Sequence, residues 1–333
     1  MPRRHLSGRQ LERIRAIQER RRRRLEERTG HVLEEIGDAE PREGRVMVRH
    51  GMHLAVLDER GRIHRCLLRR NIGHPVCGDQ VIWQPTDAGA GVVTALLPRA
   101  TELSRPGYGG RDKALAANVT LMAVVVAARP PPSGYLVDQY LVAAELIGVD
   151  AVIVLNKVDL LAPDERGRFE DGLAPYAKLG YPVLPVSAKG EPGLAALLPR
   201  LTGQTSILLG QSGVGKSSLT RALLPDQDIQ VGRLSSATGL GRHTTSAATC
   251  YRLGSGGFLI DSPGVRTFRL GRLARADLER GFRELAPFLG RCRFADCAHR
   301  NEPGCAVRAA VKAGAIAPQR LENFHHLAAE ARR

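Results

Sequence analysis

A chain of 333 residues, 43% hydrophobic and 25% charged, has room for roughly two or three domains with a sizeable core. A formal net charge of +15 and a pI near 10.2 favour a polyanionic partner, most simply nucleic acid, over an acidic protein surface. Six cysteines do not make a disulfide-dense secreted scaffold, the longest apolar run (Val119 to Ala128) is too short for a bilayer, and the arginine-rich start lacks a secretory apolar block, so a cytoplasmic protein without a membrane is expected, and it is read as a monomer.

Residues 1–40 read as a basic arm. Arg20 to Arg24 are consecutive, Arg9, Arg13, Arg15 and Arg28 flank them, and Leu11, Ile14 and Ile17 recur at helical spacing. Like charges in a row are relieved by an anionic surface, so the arm is expected to contact RNA. Over 41–106 the pattern changes to short β segments, RVMVRH, HLAVLD, IHRCLL, QVIWQP and GVVTALL, separated by Gly, Asn and Asp turns. This is the strand supply of a small OB-type barrel. Trp83 is expected in its core, and Cys66 and Cys77 as buried thiols. His64 and His74 lie near them in sequence, at a spacing that matches no usual zinc pattern. Arg99 to Asn118, rich in Arg, Gly and Ala, reads as a linker.

Residues 107–270 carry an α/β pattern. The apolar run VTLMAVVVAA is expected as a central parallel strand covered on both faces. A helix over Asp138 to Gly148 and a strand over Ala151 to Leu155 lead to Asn156-Lys157-Val158-Asp159. A helix around Arg166 to Leu179 and a strand over Tyr181 to Pro185 lead to Ser187-Ala188-Lys189. The strand Thr205 to Leu209 then opens into GQSGVGKSS, that is Gly210, Gln211, Ser212, Gly213, Val214, Gly215, Lys216, Ser217 and Ser218. In this spacing backbone N–H groups wrap phosphates, Lys216 brings a mobile positive charge, and the Ser217 hydroxyl is placed for Mg²⁺. A carboxylate at a strand's C-terminal end accepts from the N1–H and 2-amino groups of guanine, a pattern adenine does not offer. Asp159 is therefore expected to select the base, with Asn156 and Lys157 bracing the loop and Ser187, Ala188 and Lys189 completing the pocket.

Val231 to Thr245 is rich in Gly and Arg and reads as a mobile segment. It ends in GRHTT, where Thr245, and after it Thr244, is a candidate to close over the γ-phosphate and coordinate Mg²⁺. The short strand GFLI (257–260) delivers DSPG. Asp261 is expected on Mg²⁺ and the Gly264 N–H at the γ-phosphate. Val265 follows, so the common water-orienting glutamine is absent, and His243, backbone with K⁺, or a partner must place the water.

Residues 271–333 contain Cys292-x4-Cys297-x-His299-x5-Cys305. Three thiolates and one imidazole make a closed tetrahedral set for one structural Zn²⁺. The segment has too little apolar content to hold itself together without metal. Helical patterns over Ala274 to Phe288 and Ala306 to Arg332 flank it, and Arg291, Arg293, Arg300, Arg308 and Lys312 make its surface basic. Cys250 lies elsewhere and is expected to be buried.

NKVD and SAK precede the phosphate loop, whereas a usual guanine-nucleotide domain begins with that loop. One pocket still forms if the domain is circularly permuted, because a sheet needs only the correct strand neighbours. The order also places DSPG directly before the zinc segment, so a nucleotide-driven shift at Gly264 is expected to be felt there.

Over about 44–325 the chain resembles the circularly permuted, small-ribosomal-subunit-dependent GTPases of bacteria. The resemblance rests on GDQV (78–81), NKVD, SAK, GQSGVGKSS, GRHTT, DSPGV and the Cys-Cys-His-Cys knuckle. It implies an OB barrel, a permuted GTPase domain and a helical zinc domain that clasp the small subunit and its rRNA near the decoding region. It also implies GTP hydrolysis to GDP and phosphate, stimulated by the particle and promoting release late in assembly, and it points to His243 for water activation. Two other readings carry different expectations. A P-loop ATPase or kinase with an RNA-binding barrel would favour ATP. An RNA-binding scaffold using guanine nucleotide mainly as a structural switch would not turn it over.

Overall fold

The computed structural model describes residues 39–86, 90–107, 112–132, 134–226, 248–262, 270–271 and 273–331. Its first strands are β1 (Arg42–His50), β2 (His53–Asp58), β3 (Ile63–Leu68), β4 (Gln80–Pro85) and β5 (Gly91–Leu96). They run in the order β1-β2-β3-β5-β4, and β4 returns to β1, which closes the sheet into a barrel. Val46, Leu54, Val56, Val81, Val93 and Trp83 fill it. Trp83 is fully buried, with its indole N–H on the Glu43 carbonyl. Cys66, Cys77 and Cys250 are buried too, and burial pushes the Cys66 and Cys250 thiols up to about 12. His64 pairs with Asp58 at 2.8 Å and lies against the Trp83 ring, and it belongs to no group of three or more possible metal ligands among the described residues.

The stretch expected as a linker is instead a hairpin, β6 (Glu102–Pro106) with β7 (Asp112–Ala117). Its alternation is hidden by alanines, yet Leu103, Leu115 and Ala116 enter the main core. GDQV ties the barrel to it: the fully buried Asp79 takes a two-pronged ion pair from Arg99, both bonds 2.8 Å, and Arg99 also reaches Glu102.

Then follow β8 (Leu121–Ala127), α1 (Gly134–Ile147), β9 (Asp150–Asn156), α2 (Pro163–Lys178), β10 (Val183–Pro185), the single turn α3 (Leu198–Leu201), β11 (Thr205–Leu209), α4 (Lys216–Leu223), β12 (Thr249–Arg252) and β13 (Phe258–Asp261). Every residue of β8 and of β11 is buried, as strands covered on both faces require. The order is β10-β9-β8-β11-β13-β12, parallel except for β12. The strand before the phosphate loop thus lies between β8 and β13 although it comes late in the chain, which is the permuted arrangement. One bridge, Val48 to Thr249, joins β12 to β1, so barrel and α/β sheet are continuous.

The C-terminal part comprises α5 (Arg275–Arg280), α6 (Ala306–Lys312) and α7 (Pro318–Glu330). Both expected helical stretches are interrupted. Gly281 ends α5, and Gly314 with Pro318 separates α6 from α7. Leu278, Phe282, Leu285, Val307, Leu321 and Phe324 form its core, which Val142 of α1 shares. Beneath them Arg320 bridges Asp138 of α1 and Glu284, while Asn323 and Tyr176 also bond Asp138. No described helix is long and apolar enough to cross a membrane.

Candidate nucleotide-binding site

β9 and β11 end at the same edge of the sheet, and the loops that leave them face each other. After β11 the chain turns through Gly210 at φ +138°, where a Cβ would stand 2.3 Å from the Val125 carbonyl. Gly215, at φ +97°, caps α4, and a Cβ there would meet the Asn156 amide nitrogen at 2.3 Å. Glycine is needed at both positions for shape and for close approach.

Asn156, the last residue of β9, is 1% exposed and donates to the Val214 carbonyl at 2.9 Å. Lys157 takes a left-handed φ of 64°, and its ammonium donates to the carbonyls of Gly213 at 2.5 Å and Arg129 at 3.1 Å. A single 3₁₀ turn over Val158–Leu160 then presents Asp159. The Ser187 hydroxyl donates to Asp159 Oδ1 at 2.6 Å and accepts from the N–H groups of Lys189 and Gly190 at 3.2 and 2.8 Å. A Cβ on Gly190 would press against that of Asp159 at 3.1 Å, so the fourth residue of SAKG lets the carboxylate sit where it does.

These segments enclose a cavity of about 630 Å³. Asn156, Lys157, Asp159 and Leu160 line it after β9, Ser187, Ala188 and Lys189 after β10, and Ser212, Gly213 and Gly215 to Ser218 on the loop side. Such a volume suits one nucleotide. Gly210, Gln211 and Val214 are not in its lining: Val214 is buried in the core, and Gln211 donates to the carbonyls of Pro130 and Pro131. Lys216 donates to the carbonyls of Gly210 and Gln211 at 2.5 and 2.7 Å, so its charge rests on the mouth of the loop. Asp261 ends β13, the strand beside β11, and is exposed at the same sheet edge. His243, Thr244, Thr245 and Gly264 lie outside the described residues, as does the arm. Leu160, 71% exposed on the cavity wall, and Gly190 escaped the sequence reading.

The second constellation is the only group of three or more possible metal ligands among the described residues. His299 Nδ1 stands 3.6, 3.6 and 3.4 Å from the sulfurs of Cys292, Cys297 and Cys305, and Cys292 and Cys305 are 3.9 Å apart. These are close to the edges of a tetrahedron whose centre lies about 2.3 Å from sulfur and about 2.0 Å from nitrogen. The four side chains therefore fit one metal ion of that kind. The other imidazole nitrogen, Nε2, is 3.3 Å from Glu279, whose carboxylate Arg275 also holds. Arg275 donates to the Cys297 carbonyl as well. Carboxylates commonly stand behind ligating histidines, and Glu279 lies within ion-pair distance there, with no spacing in the sequence that announces it.

The family model of the RsgA GTPases matches residues 96–271, more than half of the chain. The chain belongs to the RsgA GTPase family. Membership makes it a GTP-hydrolysing enzyme. RsgA relatives, each named a small ribosomal subunit biogenesis GTPase, include that of Pseudomonas aeruginosa, 45% identical over 332 residues, and that of Azotobacter vinelandii, 44% identical over 336. Each alignment covers 99% of this chain and 98% of the relative. Among solved structures, YjeQ from Thermotoga maritima superposes with a TM-score of 0.72 at 32% identity, covering 88% of this chain and 99% of that one. YloQ, described as a circularly permuted GTPase, reaches 0.70 at 26% identity, covering 88% and 96%. That description agrees with the strand order seen here.

Proposed function

We propose that this chain hydrolyses GTP to GDP and phosphate during late biogenesis of the small ribosomal subunit, working as a cytoplasmic monomer that binds the subunit's rRNA and is stimulated by it. The observation that carries the nucleotide half is the single cavity walled by the phosphate loop, Asp159 and Ser187 to Lys189. The subunit half rests on the full-length relatives and on the net charge of +15.

Asp159, with Oδ1 steadied by Ser187, accepts from the N1–H and 2-amino groups of guanine. Ala188 and Lys189 close the base pocket, and the stem of Lys157 flanks the ring. Lys216 leaves its two loop carbonyls for the phosphates, where its charge opposes the negative charge of the transition state. Ser217, Asp261 and Thr245 hold Mg²⁺, which neutralises phosphate oxygens, and Gly264 reports the γ-phosphate. His243 positions the attacking water in place of the missing glutamine. The Cys292, Cys297, His299 and Cys305 set holds one structural Zn²⁺, with no open position for chemistry.

The test is turnover of GTP and of ATP, alone and with small or large ribosomal subunits. Stimulation confined to GTP with small subunits is expected. GTP turnover indifferent to both particles would remove the ribosomal half of the reading, and equal use of ATP would remove the base assignment.

A further inference from the structure

OB-type barrels commonly bind RNA with aromatic side chains on which bases stack. The described barrel residues expose no Phe, Tyr or Trp, since Trp83 is fully buried under His64, and their only exposed rings are the imidazoles of His50 and His74. Among all described residues a single Phe, Tyr or Trp is exposed. It is Phe294, 42% accessible, between the metal ligands Cys292 and Cys297. The phenyl ring lies in a loop that exposes Arg291, Arg293, Arg300 and one carboxylate, Asp296, and it is not among the side chains of the knuckle's core.

The ring is backed by charge. The Arg293 guanidinium lies 5.6 Å from its centroid, and Arg291 and Arg300 are exposed on the same loops. The loop is also stiff. The Arg293 N–H donates to the Gly304 carbonyl at 3.1 Å, and the Phe294 carbonyl accepts from the Cys297 N–H at 3.3 Å. The Glu302 carboxylate ties the far side of the loop together by accepting the N–H groups of Ala298, Arg300 and Asn301. A pre-organised aromatic beside guanidinium groups fits an unstacked base with phosphates on either side. A duplex, whose bases are already stacked, has no ring to offer.

We propose that Phe294, backed by Arg293, is a stacking platform for one unpaired base of the RNA partner, with Arg291 and Arg300 meeting the flanking phosphates. The inference rests on the proposed rRNA binding and says which part of the chain reads single-stranded character.

The test uses the full-length, metal-loaded protein. Phe294→Trp adds an exposed indole to a chain with one native, buried tryptophan. Its emission is expected to be quenched by a single-stranded RNA decamer and by small ribosomal subunits, and to stay unmoved by a duplex of equal length. Phe294→Ala should weaken decamer binding about 5- to 100-fold, and Phe294→Tyr should stay within about threefold of the native chain. Phe294→Leu separates stacking from mere apolar contact and should behave like the alanine variant. Metal content and unfolding temperature, measured for each variant, keep a folding defect from passing as a binding defect. Unquenched indole emission, or a leucine variant that binds the decamer as well as native protein, would overturn the proposal. A leucine variant that keeps the small subunit while no variant alters decamer binding would assign the ring to a ribosomal protein instead, and also overturns it. If native protein is not stimulated by small subunits, the ribosomal reading fails, and the decamer titrations still decide Phe294 independently.

Discussion

The nucleotide cavity and the metal knuckle are both built from short motifs, but they are held together in opposite ways. The cavity gathers segments from 156–160, 187–189 and 212–218, and the sheet brings them together. Its walls are already bonded to one another, through Asn156 to Val214, Lys157 to Gly213 and Ser187 to Asp159. The knuckle spans only Cys292 to Cys305, and its interior is the ligand set itself. Long-range topology pre-forms a site that a ligand then fills, whereas a local loop needs the ligand as its core.

The largest effect should come from removing the metal. Structural zinc contributes on the order of 10 kcal/mol to small sites. Chelation, or Cys297→Ser, is therefore expected to make residues 290–306 protease-sensitive and fast-exchanging while guanine nucleotide titrations change less than about threefold; comparable damage to both would erase the contrast. Next is the joint between the two regions. Arg320→Ala strands the buried carboxylates of Asp138 and Glu284, at a cost of about 3–5 kcal/mol by denaturant unfolding. Burial already raises the Asp138 pKa, and loss of the guanidinium raises it further. A carboxyl with a higher pKa folded than unfolded favours folding at low pH and loses that contribution as pH rises through the folded value, so the variant should regain stability on acidification from pH 8 towards 5.

The remaining predictions concern the cavity. Lys216→Ala should slow single-turnover GTP cleavage about 100- to 1,000-fold, the scale of losing one donor aimed at developing charge. Asp159→Asn should cost about 100-fold in GTP affinity through two charge-assisted bonds, and competition should show a gain for xanthosine triphosphate, whose C2 oxygen accepts from the new amide. Ser187→Ala, which unties Oδ1 and frees the Lys189 and Gly190 N–H groups while leaving the Asp159 carboxylate in place, should cost about fivefold in the same assay.

Much of this was legible in the sequence. The strand Thr205–Leu209 appears with the expected bounds, since a short run ending in Ile-Leu-Leu and followed by a glycine-rich turn has few other solutions. The ligand set was legible because thiolates and imidazole in one short loop have one common use. Leu160, Gly190, Glu279 and Phe294 were not, because each acts through a neighbour that folding supplies. The β6–β7 hairpin escaped because β6 (ELSRP) carries one large apolar residue and the alanines of β7 (DKALAA) blur its alternation. The joint of Asp138, Glu284 and Arg320 unites residues up to 182 positions apart, and no local pattern marks them.

That joint has a practical consequence in ionic strength. RNA contacts made through phosphates weaken steeply with salt, by about 10³ to 10⁵ between 50 and 200 mM for 6–10 contacts. The Arg320 cluster is 7% exposed or less at every charged member, so mobile ions do not reach it and screening leaves it intact. A concentrated salt wash should strip this protein from its polyanion while its own domains stay locked together.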